Sequence, residues 1–552
     1  MPGAKINVGT LLVIAIISIA VLVGTGYALV ASGDFCSSSQ GSGDCTPPIN
    51  SETSSTEECT SQKCTTTSDS SSLAISSTTY SSFSTSSNSS SFTTSTETFS
   101  STFTSTSTRN STALYPLPKS HPIASHLYIA SDTTWGYTLT ALQGLVARQS
   151  PQIFFVANSM DRSYLNLIEH QYNVTSENST AEEILQKFIT SQYVSQTNGK
   201  FNIVVFDSNE PATDFYWETN TARTIAGVTA ALPVGSAQLG QFESWFPNSN
   251  IIYDLRTMFP ENSTGAVAGY QWAWNTFGAQ TTRDFMTMSP NGRYMGGDYE
   301  VEFKSFVFSF CDPNVATGCT FDATQQALAN QILNAYPPGA VSMGFFGLGG
   351  EACSTCTINL LSQHGMTQDN SELSTDLSLY AGLRTIEGAA PPSVASMTYD
   401  PSKKYVLWEY SQGDADTYEF YAIQKIYQEI DPATNVPFRD EIPVSIQLKT
   451  MMAQTAPPVL SMYYSDPKSL SDLMCAPSGG AGYQHPENIP TGTGNGSEYW
   501  FVQLSKALNL KVGVKNVFII WGGGPTNSQI EKYLSDWGNP QPDALFFWQD
   551  NG

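Results

Sequence analysis

The chain has 552 residues, with 24 Lys and Arg against 48 Asp and Glu, a net charge of −24, and only 13% charged residues. That balance excludes a nucleic-acid partner, whose phosphates demand a basic patch. An acidic, sparsely charged chain suits solubility and an acidic external medium.

Lys5 is the last charge before the apolar run Leu11–Val30, which ends ahead of Asp34. A helix needs about 20 apolar residues to cross a bilayer core, while an ordinary signal core has roughly 7–15. The run therefore predicts an uncleaved anchor within residues 1–33, with Ala28 and Ala31 leaving signal cleavage as the alternative. The lone Lys5 keeps the short tail inside and sends the remainder out. Residues 34–113 are dominated by Ser and Thr, and their aromatics (Tyr80, Phe83, Phe92, Phe99, Phe103) follow no period. Such a stretch buries too little surface to offset its ordering entropy, which predicts a disordered stalk suited to O-glycosylation. N-x-Ser/Thr sequons at Asn88, Asn110, Asn173, Asn178, Asn262 and Asn495 fit an exported glycoprotein.

Nine Cys include the close pairs Cys36/Cys45, Cys59/Cys64, Cys311/Cys319 and Cys353/Cys356. Outside the cytoplasm these predict small-loop disulfides, with Cys475 left over. Cys353-Ser-Thr-Cys356 also has the spacing of a redox site or half a metal site. With no second C-x-x-C and only His364 nearby, no metal is expected.

From Leu114 onward, strand-like runs alternate with helical patterns. Leu127–Ile129 reads as a strand, and Leu139, Leu142, Leu145 and Val146 share a helical face. Strand Gln152–Ala157, helix Ser163–Tyr172 and strand Phe201–Phe206 follow. Asn262–Asp298, rich in aromatics, Gly and Asn, reads as long loops or a domain junction. Then come helix Ala323–Ala335, strands Val341–Phe346 and Tyr405–Tyr410, helix Glu419–Ile430, and strands Val459–Tyr464, Val517–Trp521 and Ala544–Trp548. The alternation predicts an α/β fold with largely parallel sheets. It is placed in two domains, 114–295 and 296–552.

Parallel sheets and barrels form active sites at the carboxyl ends of their strands. Asp207, Glu351 (after Gly347–Gly350), Asp414, Asp416 and Asp466 all stand after predicted strands. Two such carboxyls would serve glycoside hydrolysis, one as acid and one as base or nucleophile; singly, each would as readily cap a helix. Trp135, Trp217, Trp245, Trp272, Trp274, Tyr483 and Trp500 are placed in loops, where aromatic rings can stack on sugars, or else they fill the core. Gly522–Gly524 lacks a P-loop lysine, no nucleophile elbow or H-E-x-x-H occurs, and the five His show no ligand spacing. No cofactor is predicted. Gly479, Gly480 and Gly482, with Tyr483 and His485, form either a ligand-facing wall or a plain turn.

Gly480-Ala481-Gly482-Tyr483-Gln484-His485-Pro486 resembles the signature of the GxGYxYP family of glycoside hydrolases, with His485 at the second Tyr. Pro477-Ser478-Gly479, Tyr463-Tyr464-Ser465, the run Thr138–Val156 and Thr281-Thr282-Arg283-Asp284-Phe285 are similar to other stretches of that family. Ser411-Gln412-Gly413-Asp414 is similar to a segment reading roughly S-D-G-D-N, with Gln412 and Ala415 as departures that remove a carboxyl and an amide. The resemblance runs from about Leu127 to the end of the chain, and the family domain extends past the point that matches Gly552. It implies an N-terminal and a C-terminal α/β domain, the second open to a barrel-like form. It further implies carbohydrate chemistry, for which Asp414 and Glu351 are the expected carboxyl pair and Asp416 the substitute. Tyr483, His485, Gly480, Gly482, Asp207 and Trp272 are the expected sugar-binding residues. The expected partners are a glycan or polysaccharide and, through the first helix, a membrane. The alternative is a non-catalytic surface glycoprotein that binds glycan or envelope components.

Overall fold

Leu127, Ile129 and Ala130 are buried on the first strand, β1 (His126–Ala130), while His126 and Tyr128 between them are partly exposed. β1 is the centre of its sheet because a parallel strand pairs with it on each side. In the computed structural model, residues 117–549 are described apart from 211–214, 289–296, 311–321, 345–350, 372–373, 384–401, 403–408, 411–429, 432–435, 438–444, 466–472, 478–480, 491–496 and 522–524. The expected anchor and stalk lie outside the described residues.

Helix α1 (Gly136–Ala147) leads to β2 (Ile153–Phe155), and α2 (Ser159–Tyr172) leads to β3 (Thr175–Asn178). β2 and β3 flank β1, both parallel to it. Asn158 starts α2 through a capping box: its Oδ1 accepts from Met160 and Asp161 amides, and Asp161 Oδ2 accepts from the Asn158 amide at 2.9 Å. After α3 (Ala181–Phe188), a second sheet is built on β5 (Lys200–Phe206). It carries the short antiparallel β4 (Gln196–Thr197) and two parallel neighbours, β6 (Leu232–Gly235) and β7 (Ser249–Asp254). Helices α4 (Trp217–Thr229) and α5 (Ser236–Trp245) connect them.

The stretch expected to be loops holds a 15-residue helix, α6 (Ser263–Phe277). Ala266, Val267, Tyr270, Ala273 and Phe277 are buried at helical spacing, and the Asn262 side chain caps the start by accepting from the Gly265 amide at 2.9 Å. Its Gly, Asn and Trp residues obscured that period. Then follow β8 (Phe285–Met288), α7 (Gly297–Glu302), β9 (Val307–Phe308), α8 (Ala323–Leu333), β10 (Val341–Met343), α9 (Glu351–Gln363), β11 (Thr367–Asp369) and α10 (Leu377–Tyr380). Their strands form a parallel sheet in the order β11-β10-β8-β9.

The remainder contributes β12 (Glu409–Tyr410), an antiparallel pair of β13 (Ile430–Asp431) and β14 (Val436–Pro437), and β15 (Ser445–Gln447). After them come α11 (Met452–Thr455), α12 (Pro457–Ser465), β16 (Leu473–Ala476), α13 (Ser497–Val512), β17 (Asn516–Trp521), α14 (Asn527–Trp537) and β18 (Ala544–Gln549). The last sheet is parallel, in the order β12-β15-β16-β17-β18. Val459–Tyr464, expected as a strand, lies inside α12. A short apolar run suits a buried helix as well as a strand, and the prolines Pro457 and Pro458 favour a helix start. Of the expected helix Glu419–Ile430, only Ile430 is described, and it opens β13.

One apolar core takes Leu127 and Phe154 from the first sheet, Phe285 and Val341 from the third, and Ile446 and Val517 from the last. The chain is thus a mixed α/β fold with largely parallel sheets, as expected. Among the described residues no helix is long and apolar enough to cross a membrane.

Candidate functional site at the carboxyl edge of the parallel strands

The strand β11 has β10 on one side, and the turn that follows β16 covers its other edge. Gln368 N donates to Tyr483 O at 2.9 Å and Tyr483 N donates to Gln368 O at 2.8 Å, a one-residue antiparallel bridge. Thr367 Oγ1 donates to Ala481 O at 3.0 Å. Gly482 makes this approach possible. Its φ is +109°, and a Cβ there would stand 2.3 Å from Gln368 O. The two features together explain why glycine occupies this position of the motif. An uncovered strand edge invites pairing with other chains, and the turn removes that liability.

The same turn is tied to α9. His485 N donates to Ser362 Oγ at 3.0 Å, and His485 Nδ1 lies 2.7 Å from Asn359 Oδ1. Asn488 Nδ2 donates to the same Asn359 oxygen at 2.7 Å. An amide oxygen can only accept, so Nδ1 is the donor in this contact. The His485 side chain is buried and Tyr483 is partly exposed.

Asp369 ends β11, and Lys449 stands two residues past β15. Their side chains meet at 2.6 Å, with 0% and 1% exposure. Lys449 Nζ also donates to Asn370 O at 3.1 Å. At the end of β10, Gly344 accepts from Gln368 Nε2 and its amide donates to Ser371 Oγ at 3.1 Å. The carboxyl ends of β10, β11 and β15 and the turn after β16 therefore meet on one edge. Gln368 Oε1, Asn370 Oδ1 and both polar atoms of Gln484 are buried there without hydrogen-bond partners among the described residues.

Of the expected carboxyls, Asp414, Asp416 and Asp466 lie outside the described residues, as does Gly480. Glu351 opens α9, the helix that bonds the signature turn through Asn359 and Ser362. Asp207 directly follows β5 in the second sheet, where its Oδ1 accepts from the Asn209 amide and Ser236 Oγ, both at 3.0 Å. These contacts brace a turn, and no described contact joins Asp207 to the signature turn. Trp272 sits on α6, not on a loop, packed edge-on against Tyr253 and Phe277 at 5.6 Å each. Trp217, Trp245, Trp274 and Trp500 are likewise helical, and Trp135 closes a short 3-10 turn. Asp369 and Lys449 escaped the sequence reading. β11 reads Thr-Gln-Asp, with no apolar signal, and the ion pair spans 80 residues of chain.

A second concentration of acids lies deep in the core. Asp376 Oδ1 accepts from Phe155 N at 2.7 Å and Gln143 Nε2 at 2.5 Å, while Asp298 Oδ2 accepts from Ser378 N at 2.8 Å and Oγ at 2.6 Å. Burial, aided by neighbouring acids, holds the Asp376 carboxyl well above the usual range, and burial raises Asp298. Burial also pushes Glu302 up to about 8 against the Ser120 hydroxyl bond. Glu300 rises to about 7 by burial, although Arg223 lies 2.6 Å away. Among the described residues no group of three or more His, Cys, Asp or Glu is placed to hold a metal ion.

Residues 402–550 match the model described as "GxGYxYP putative glycoside hydrolase C-terminal domain", and residues 126–190 match the first domain of the same family, GxGYxYP_N. A crystal structure described as "a putative hydrolase from Bacteroides thetaiotaomicron VPI-5482" has a TM-score of 0.64 and 17% identity, covering 78% of this chain and 76% of that one. That likeness shows a shared fold. No curated protein matches.

Proposed function

We propose that this chain, whose residues 126–190 and 402–550 match the GxGYxYP models, is an exported glycoside hydrolase, anchored by its N-terminal helix and held from the membrane on a Ser/Thr-rich stalk. The match over residues 402–550 carries this reading, because that span includes Asp414, Asp416 and the signature turn. Asp414 and Glu351 act as the acid and base or nucleophile, with Asp416 as the substitute, and Tyr483 contacts the sugar. The position of the turn at the carboxyl ends of parallel strands supports the assignment, since such edges host active sites. The disulfide at Cys356 supports a compartment outside the cytoplasm.

Asp414→Asn should abolish turnover while leaving folding and glycan binding intact; full activity in that variant removes Asp414 from the mechanism. One observation favours the non-catalytic reading instead. The His485 ring is committed to Asn359, as in a structural clasp, which leaves glycan binding by a surface glycoprotein as the second reading.

A further inference from the structure

Native interiors leave few polar side-chain atoms without a partner, and each exception calls for an explanation. Such atoms occur throughout the core of the described residues, and four of them, on Gln368, Asn370 and Gln484, belong to residues that the backbone brings together. Gln368 and Asn370 flank Asp369 on β11, and Gln484 follows Tyr483, whose backbone is bonded to Gln368. Asn370 is 3% and Gln484 2% exposed. Among the described residues Asn370 Oδ1 and Gln368 Oε1 lack a donor, and Gln484 lacks both a donor and an acceptor. Beside them is a fully buried ion pair, Asp369–Lys449. Apolar residues of similar size often replace such a pair at no loss of stability, so packing alone does not account for it.

We infer that the amides of Asn370 and Gln484, with the Asp369–Lys449 pair, bind the hydroxyls of a neutral sugar at the carboxyl edge of β11 and β15. A hydroxyl donates and accepts at once. The several hydroxyls of one sugar can each donate to one of the bare amide oxygens of Gln368, Asn370 and Gln484, and one of them can accept from Gln484 Nε2. An ionised carboxylate has no proton to give those oxygens, and a cation would meet Lys449. Tyr483, partly exposed beside buried Gln484, marks the side of approach. The inference rests on the glycan reading above and assigns it a binding floor.

The test uses the full chain and neutral gluco-, xylo-, manno- and chito-oligosaccharides as probes, with calorimetric titration and thermal melting read in parallel. Gln484→Leu and Asn370→Leu each remove a buried, unpartnered group, so melting should stay level or rise, while affinity should weaken tenfold or more. Asp369→Asn combined with Lys449→Met removes both charges together, leaving neither unpaired, and should also weaken binding in a folded protein. Raised melting with unchanged affinity in the leucine variants overturns this inference and leaves the glycan reading standing. A wild-type chain that binds none of the probes overturns both.

Discussion

Glu302→Gln is the sharpest probe of the buried acids. The Glu302 carboxyl is 5% exposed, accepts from Ser120 Oγ at 2.8 Å, and is pushed from 4.5 to about 8 by burial. A folded-state value above the unfolded one means that the native protein holds a proton the unfolded chain releases. The associated stability is complete below about 4.5 and is lost as pH rises toward 8. At about 1.4 kcal/mol per pH unit the whole span is on the order of 5 kcal/mol, and the part between pH 5 and pH 7 is about 3 kcal/mol. Glutamine keeps the neutral form at every pH. Urea midpoints of the full chain at pH 5, 6, 7 and 8 should fall with pH in the wild type and fall less in the variant. The two should be close at pH 5 and separate by several kcal/mol at pH 8. Parallel curves would refute the reasoning, because they would mean that Glu302 is ionised in the native state at no cost.

Gly482→Ala combines a φ of +109° with a Cβ 2.3 Å from Gln368 O, so it should cost about 3 kcal/mol or more, read as a lower melting temperature. Wild-type melting in that variant would show that the turn can detach from β11 without loss. Asp376→Asn retains an oxygen for Phe155 N and should stay within about 1 kcal/mol of wild type at pH 7, since the native carboxyl is held neutral. Asp376→Ala should cost about 2–4 kcal/mol by denaturant titration, because it strands the Phe155 amide and Gln143 in the core.

Much of the fold was legible where apolar runs are bounded by turn residues. β1, β2, β5, β17 and β18 fall within a residue or two of their expected places, as do α1 and α8. Legibility failed where apolar content and period point different ways. Helix α6 hides its buried face among Gly, Asn and Trp, and α12 is an apolar run too short for its period to show. β11 is polar along its whole length because it is buried among hydrogen-bonding partners rather than among apolar side chains. The signature turn was legible as a tight turn through its glycines. Its partners Ser362 and Asn359 lie more than 120 residues earlier, and no local pattern links them. A long separation in chain likewise kept Lys449 from being read as a partner of Asp369.

The central claim is that this chain cleaves glycosidic bonds, and new reducing ends measure that most directly. Full-length protein incubated in mildly acidic buffer with the oligosaccharide that it binds best should release them with time, and Asp414→Asn should bind the same sugar and release none. Binding by the wild type without any new reducing ends would contradict the claim and make the chain a surface glycan-binding protein.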